Sequence, residues 1–240
     1  MKKAVIIGAS SGIGAELARH LSAEYGVIGL AARRTKLLEE LAAELTGKTH
    51  IAPMDISKPE EARDQLQSLI EKMGGVDLAV ICAGTGHLNP GLNWDLERQT
   101  IDVNVIGFTL LADMLMNRFI ERGEGHLVGI SSVAALRGSG SCPAYNASKA
   151  YMSNYLEGLR LKARRISKKI VVTDVKPGFV DTQMAQGEGL FWVASPQEAA
   201  KQISRLIRRR KAHGYVTRRW RLVAVILKLM PGWLYERLFK

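Results

Sequence analysis

The chain has 240 residues, 47% hydrophobic and 24% charged, the mix of one globular domain rather than of a disordered, collagenous or coiled-coil chain. Its net charge of +11 is unevenly placed: residues 1–200 carry 22 Lys and Arg against 22 Asp and Glu, and residues 201–240 carry 12 against the single acid Glu236. A nucleic-acid-binding body striped with basic residues does not fit that distribution; a neutral domain of residues 1–200 with a basic, partly apolar extension of residues 201–240 does.

In chain order, residues 4–7 read as a buried strand and 12–25 as a helix with Ile13, Leu17 and Leu21 on one face. A strand over 27–31 leads to a helix over 35–45, whose stripe is Leu37, Leu38, Leu41 and Leu45. Residues 49–54 form a strand, 59–73 a helix, 77–81 a buried strand and 97–121 one long helix. Strands over 126–130 and 170–175 flank a helix over 143–166, and a helix over 197–209 precedes a last short strand at 214–217. Strands alternating with helices predict an α/β fold: a doubly wound, mostly parallel seven-stranded sheet with helices on both faces, followed by the basic helical extension.

The first strand runs into Gly8-Ala9-Ser10-Ser11-Gly12-Ile13-Gly14. Glycines between a strand and a helix allow a tight turn, close approach of a pyrophosphate to the backbone and close helix packing, with the helix N-terminus facing the anion. The spacing is Gly-x-x-x-Gly-x-Gly rather than the commoner G-x-G-x-x-G. The second strand ends in Ala31-Ala32-Arg33-Arg34, with no carboxylate between Gly26 and Arg34. Guanidinium groups there suit a ribose 2′-phosphate, so NADP(H) is favoured over NAD(H). The stronger expectation falls on Arg33; a solvated helix-start role competes for Arg34.

Ser131-Ser132 is followed by Tyr145-Asn146-Ala147-Ser148-Lys149. On a helix, Tyr145 and Lys149 share a face, and a neighbouring ammonium favours phenolate, which would bring a phenol toward acid–base work near neutral pH. With these residues in view, the sequence resembles the short-chain dehydrogenase/reductase family in its compact, NADP(H)-type branch over about residues 3–200. The ordered set is the Gly8/Gly12/Gly14 loop, Asp55, Ala83-Gly84, Asn104, Ser132, Tyr145 with Lys149, and Pro177-Gly178 with Thr182. The resemblance implies that Tyr145 exchanges the proton with a carbonyl or alcohol, that Lys149 tunes the phenol and holds the nicotinamide ribose, and that Ser132 polarises the substrate oxygen. It implies a relay water on Asn104, adenine contact at Asp55, and a nicotinamide site at Pro177, Gly178 and Thr182. Residues 8 and 10–14, Arg33, Arg34, Ala83 and Gly84 would complete the cofactor site. The sequence alone does not separate the Ser131 and Ser132 hydroxyls. Cys82 departs from the family, which usually carries Asn there.

The implied activity is interconversion of a carbonyl and an alcohol on a small molecule with some apolar character. A catalytically idle NADP-binding scaffold or redox sensor is the other reading. The five histidines have no metal-ligand spacing, and two cysteines make no disulfide framework, so a reducing cytoplasmic setting is expected. A substrate lid is expected over 183–195, with Met184, Leu190, Phe191, Trp192 and Val193 offering apolar surface to substrate, or with Phe191 and Trp192 packed on the core or a subunit partner. Leu136, Ser139 and Cys142 are placed near the same cleft. Homo-oligomers are common in the family. Residues 205–240 either dock on an anionic membrane surface or pack on their own domain or a subunit; nucleic acid is the least favoured partner.

Overall fold

Continuous apolar runs become strands covered on both faces. In the computed structural model, which describes residues 1–184 and 191–239, these are β1 (Lys3–Ile7), β2 (Val27–Ala32), β4 (Leu78–Ile81), β5 (Gly125–Ile130) and β6 (Ile170–Pro177). More exposed strands, β3 (Lys48–Pro53) and β7 (His213–Val216), form the two edges. All seven lie in one sheet of order β3-β2-β1-β4-β5-β6-β7, and every pairing is parallel. The register sets Ile7 beside Ala31 on one side and Ile81 on the other, so neighbouring C-terminal ends are level. The strand order reverses between β1 and β4, the switch point where open α/β sheets bind ligands.

Two helical layers cover the sheet. One contains α1 (Gly12–Ser22), α2 (Thr35–Glu44) and α7 (Pro196–Arg208), which bury Leu17, Leu21, Leu38, Leu41, Ile203 and Ile207. The other contains α3 (Pro59–Met73), α5 (Phe108–Arg122) and α6 (Pro143–Ile166), burying Leu66, Leu69, Phe108, Leu115, Phe119 and Leu156. The expected long helix begins earlier, at α4 (Trp94–Ile101), where the Asn93 side chain accepts from Asp95 N. It passes through a π-helical turn (Asp102–Gly107) before continuing as α5. Among the described residues this 94–122 helix is long and apolar enough to cross a membrane, but Phe108, Leu111, Leu115 and Phe119 bury it against the sheet.

The first helix stops at Ser22 instead of 25, because the Glu24 and Tyr25 amides both turn back on Leu21 O. The compositional break near 200 falls inside α7, and β7 beyond it extends the sheet. Two further helices, α8 (Trp220–Leu229) and α9 (Gly232–Leu238), divide at Pro231.

One charged cluster is enclosed beside the sheet. The Ser131 hydroxyl donates to Asp174 Oδ1 at 2.5 Å, Ser153 to Oδ2 at 2.8 Å, and Lys176 Nζ to the same Oδ2. Asp174→Ala leaves the Lys176 ammonium enclosed without its carboxylate. It is expected to destabilise the fold by ~3–5 kcal/mol, read from the denaturant midpoint at unchanged m-value. A loss below ~1 kcal/mol would contradict this structural role.

Candidate active site

The site grows from the C-terminal ends of the strands. Gly8 follows β1 with φ +91°, and a Cβ there would stand 2.5 Å from Ala83 N, so only glycine fits between the two strand ends. A Cβ on Gly14 would collide with Gly8 O, which is why α1 can start so close beneath the loop. Gly12 faces Thr182, whose methyl carbon would be 3.0 Å from an added Cβ. Ser11 precedes α1 in extended conformation and makes no side-chain cap, and the first turn holds no acid. That leaves backbone N–H groups and the positive end of the helix dipole facing the loop.

Arg34 reaches back over this loop. Its Nη2 donates to Ser11 Oγ at 2.6 Å and Ser10 Oγ at 2.9 Å, and its Nη1 to Gln183 Oε1 at 3.3 Å. Arg33 is exposed and makes no side-chain hydrogen bond or ion pair with the described residues. Arg34 is thus organised by the loop, and Arg33, on which the stronger expectation fell, is not held by it. Asp55 sits at the end of β3, where its Oδ1 accepts from Ser57 N (3.1 Å) and Ser57 Oγ (2.8 Å), a local turn that leads into α3.

Across the switch point, Ser132 leaves β5 and Tyr145 and Lys149 lie one turn apart on α6. The Ser132 hydroxyl lies near enough to Tyr145 to favour its phenolate form, and Ser132 Oγ accepts from Ala134 N at 3.1 Å and donates to Pro177 O at 3.4 Å. The two serines thus divide: Ser131 turns to Asp174, Ser132 to the tyrosine. Lys149 Nζ is 4% exposed as a residue and donates to Ile130 O at 3.0 Å. Its other described contact is the weak acceptor Met152 Sδ at 3.6 Å, so at least one N–H has no oxygen acceptor among the described residues.

Burial disfavours both charged forms. It draws the Lys149 ammonium down to about 8 and pushes the Tyr145 phenol above its ordinary 10, outweighing the opposing pull of the Ser132 hydroxyl. The expected lowering of the phenol by Lys149 is corrected accordingly: Nζ lies 5.8 Å from the ring centre and turns toward Ile130 O.

Asn104 lies in the π turn and is fully buried. Its Nδ2 donates to Thr85 O (2.7 Å) and Ser148 Oγ (2.9 Å), and its Oδ1 accepts from Thr85 N (2.9 Å). The side chain clamps the loop after β4 to α6. A Cβ on Gly84 would stand 3.2 Å from both Asn104 Oδ1 and Lys149 Nζ, which measures how closely that loop is drawn in. Cys82, where the family has Asn, bonds through its backbone N to Ile7 O at 2.8 Å, and burial raises its thiol to about 12.

Two contributors had no sequence signal. Glu97 Oε2 accepts from Ala144 N at 3.1 Å and Oε1 from Asn89 Nδ2 at 2.6 Å, so it pins the start of α6 one residue before Tyr145. Trp220 of α8 presses on Gly178, where any Cβ would strike the indole. Around it gather Phe191 (5.0 Å between ring centres), Phe179 (5.3 Å) and Trp192 (6.1 Å), with Arg219 5.2 Å above the Trp192 ring. Phe191 and Trp192 of the expected lid therefore pack on the tail, while each keeps an exposed side; Met184 and Val193 are exposed, and Leu190 lies outside the described residues. Cys142 bonds to Asn146 Oδ1 at 3.2 Å in the segment joining Ser132 to α6, with Leu136 and Ser139.

Residues 2–190 match the short chain dehydrogenase family. An uncharacterized oxidoreductase of Myxococcus xanthus is 35% identical over 189 residues, covering 76% of this chain and 74% of that protein. An alcohol dehydrogenase of Thermococcus sibiricus, solved with 5-hydroxy-NADP, superposes with a TM-score of 0.75 at 25% identity, covering 87% of this chain and 91% of the other. A short-chain dehydrogenase of Sphingobium yanoikuyae in complex with NADPH reaches a TM-score of 0.81 at 21% identity, covering 97% of both chains, a likeness of fold.

The thiols test this packing. A thiol reagent added to the native protein at neutral pH is expected to label Cys82 far more slowly than it does in the unfolded chain, because burial raises that thiol to about 12 and keeps its thiolate scarce. Native labelling of Cys82 as fast as in the unfolded chain would contradict that shift.

Proposed function

The chain belongs to the short chain dehydrogenase family, and on that premise we propose that it is an NADPH-dependent carbonyl reductase with Tyr145 as proton donor. The observation that carries this reading is the gathering of the Ser132 hydroxyl, the buried Tyr145 phenol and the enclosed Lys149 ammonium at the switch point of the sheet. A phenol kept neutral by burial is the form that donates, which favours reduction over oxidation. Ser132, near the phenol, would hold the same carbonyl oxygen and stabilise its growing negative charge.

The residues present fit the cofactor. The Gly8–Gly14 backbone and the α1 N-terminus, including Ser10, Ser11 and Ile13, would hold the pyrophosphate. Arg34, poised on the Ser10 and Ser11 hydroxyls, would take the 2′-phosphate with Arg33 beside it. Asp55 would meet the adenine, Ala83 and Gly84 would line the dinucleotide path, and Pro177, Gly178 and Thr182 would border the nicotinamide. Lys149 would direct its uncommitted N–H at ribose hydroxyls. The bound cofactor supplies the hydride. Asn104 serves as a positioning residue that keeps the Thr85 loop against α6. The aromatic group of Phe191, Trp192 and Trp220 supports a substrate with apolar surface. An idle scaffold gains nothing from a site in which Ser132, Tyr145 and Lys149 all converge.

Tyr145→Phe is expected to bind NADPH as the parent does and to lose kcat by ~10²-fold or more against any accepted carbonyl. A kcat within ~10-fold of the parent's would remove the tyrosine from its role. Lys149, whose ammonium lies at about 8 instead of 10.5, gives up its proton as the pH rises through that value. Reductive kcat/KM is therefore expected to be sustained below about 8 and to fall above it, with Lys149→Arg moving the fall upward. A profile flat through this range would count against Lys149. Arg34→Ala should weaken NADPH binding by ~10-fold or more and leave NADH binding little changed; equal loss for both would place Arg34 elsewhere.

A further inference from the structure

We propose that α8 and α9 form a docking surface for an anionic lipid bilayer. The outer side of α8 carries Leu222, Val225, Ile226 and Leu229, a helical stripe of purely apolar residues, and it faces solvent: Leu222 is 66% and Leu229 78% exposed. Trp233, 67% exposed, follows the Pro231 bend, and Leu238 and Phe239 are exposed at the end of α9. Packing on the chain's own domain does not account for this surface, because α8 already buries its other side through Trp220 and Ala224.

The helices are also held firmly. Arg137 donates to the last carbonyls of α8, Leu227 O at 2.9 Å and Met230 O, and the Tyr235 hydroxyl donates to Gly138 O at 2.6 Å. The patch is thus a fixed, presented face and not a helix still seeking its place on the body. A contiguous exposed apolar area of this kind marks an interaction site.

Charge decides what covers it. Arg218, Arg219, Arg221, Lys228 and Arg237 are exposed and have no ion-pair partner among the described residues. Arg221 and Lys228, seven residues apart, run along one edge of the stripe. A second copy laid on this face would oppose one forty-residue segment of net charge +11 with another. A nucleic acid would meet the cations but not the leucines. An anionic bilayer meets both: cations at the headgroups, the stripe in the acyl boundary and Trp233 at the interface. The ten residues of α8 span about 15 Å, half a hydrocarbon core, so the helix lies in the interface and does not cross it. This proposal stands independently of the reductase reading, although Arg137 and Gly138 set the surface beside the segment that leaves Ser132.

The test is co-sedimentation of the full chain with vesicles of phosphatidylcholine alone or mixed with phosphatidylglycerol, at low and high salt. Binding is expected to the mixed vesicles, weakened by salt. Arg221→Gln and Lys228→Gln should each lower the partition coefficient about fivefold, the equivalent of ~1 kcal/mol per cation near the surface. The pair Leu222→Glu with Ile226→Glu should abolish binding while circular dichroism and melting are preserved. Failure to bind the mixed vesicles at low salt, or binding indifferent to the paired glutamates, overturns the proposal. So does light scattering that finds a dimer which the paired glutamates convert to monomer, since the patch would then belong to a second copy.

Discussion

Seven strands running the same way place seven C-terminal ends along one edge of the sheet, and the rest of the molecule follows from that constraint. Parallel neighbours need crossovers, so each strand must hand over at that edge to the loop that starts the next helix. Gly8, Arg34, Asp55, Ala83, Ser132 and Gly178 each come shortly after a strand and therefore line the same edge, although they are spread over 171 positions. Between β1 and β4 the order turns, the crossovers part, and the Gly8 and Ala83 backbones come into near contact. Helix α6 then enters over β5 and β6, carrying Tyr145 and Lys149 to the same edge.

Two enclosed lysines show how this edge differs from the structural interior. Lys176 has the Asp174 carboxylate, itself held by Ser131 and Ser153, and is fully committed to the fold. Lys149 has one backbone oxygen and a thioether sulfur. An enclosed ammonium without a counter-charge is costly, which is the physical reason its proton loosens to about 8. The same lack of partners leaves it able to donate to a ligand. Perturbed groups of this sort gather where chemistry is done. The supporting polar bonds are local and specific: Glu97 fixes the first turn of α6, and Asn104 fixes the loop that borders Lys149.

The alternation of strands and helices was legible because a strand covered on both faces must be an unbroken apolar run, as in residues 4–7 and 78–81. The glycine loop was legible because its backbone geometry admits no side chain at Gly8. Adjacent identical or similar residues were not separable. Which of Ser131 and Ser132 meets Tyr145, and which of Arg33 and Arg34 turns to the loop, depends on strand pleating and on partners distant in sequence. The direction of the Tyr145 shift was misjudged because spacing on a helix gives proximity to Lys149 but not the weight of burial. Glu97 and Trp220 act on residues 47 and 42 positions away, Ala144 and Gly178, by contacts that no local pattern encodes. The charge excess was legible as a tail, and so were the helix and last strand that tie its first part to the sheet; that Trp220 beyond them would press on Gly178 was not.

A neutral α/β body that does its chemistry at one edge, and a cationic C-terminus that presents an apolar face beside it, make one consistent molecule. The central claim concerns the edge: a site built to move a proton from Tyr145 while NADPH gives up its hydride. Its most direct test is a panel of aldehydes, ketones and quinones assayed with NADPH and NADH side by side, following cofactor absorbance. The account predicts carbonyl-dependent consumption of NADPH, much faster than of NADH. Tight NADPH binding with no consumption across the panel, or a clear preference for NADH, would contradict it.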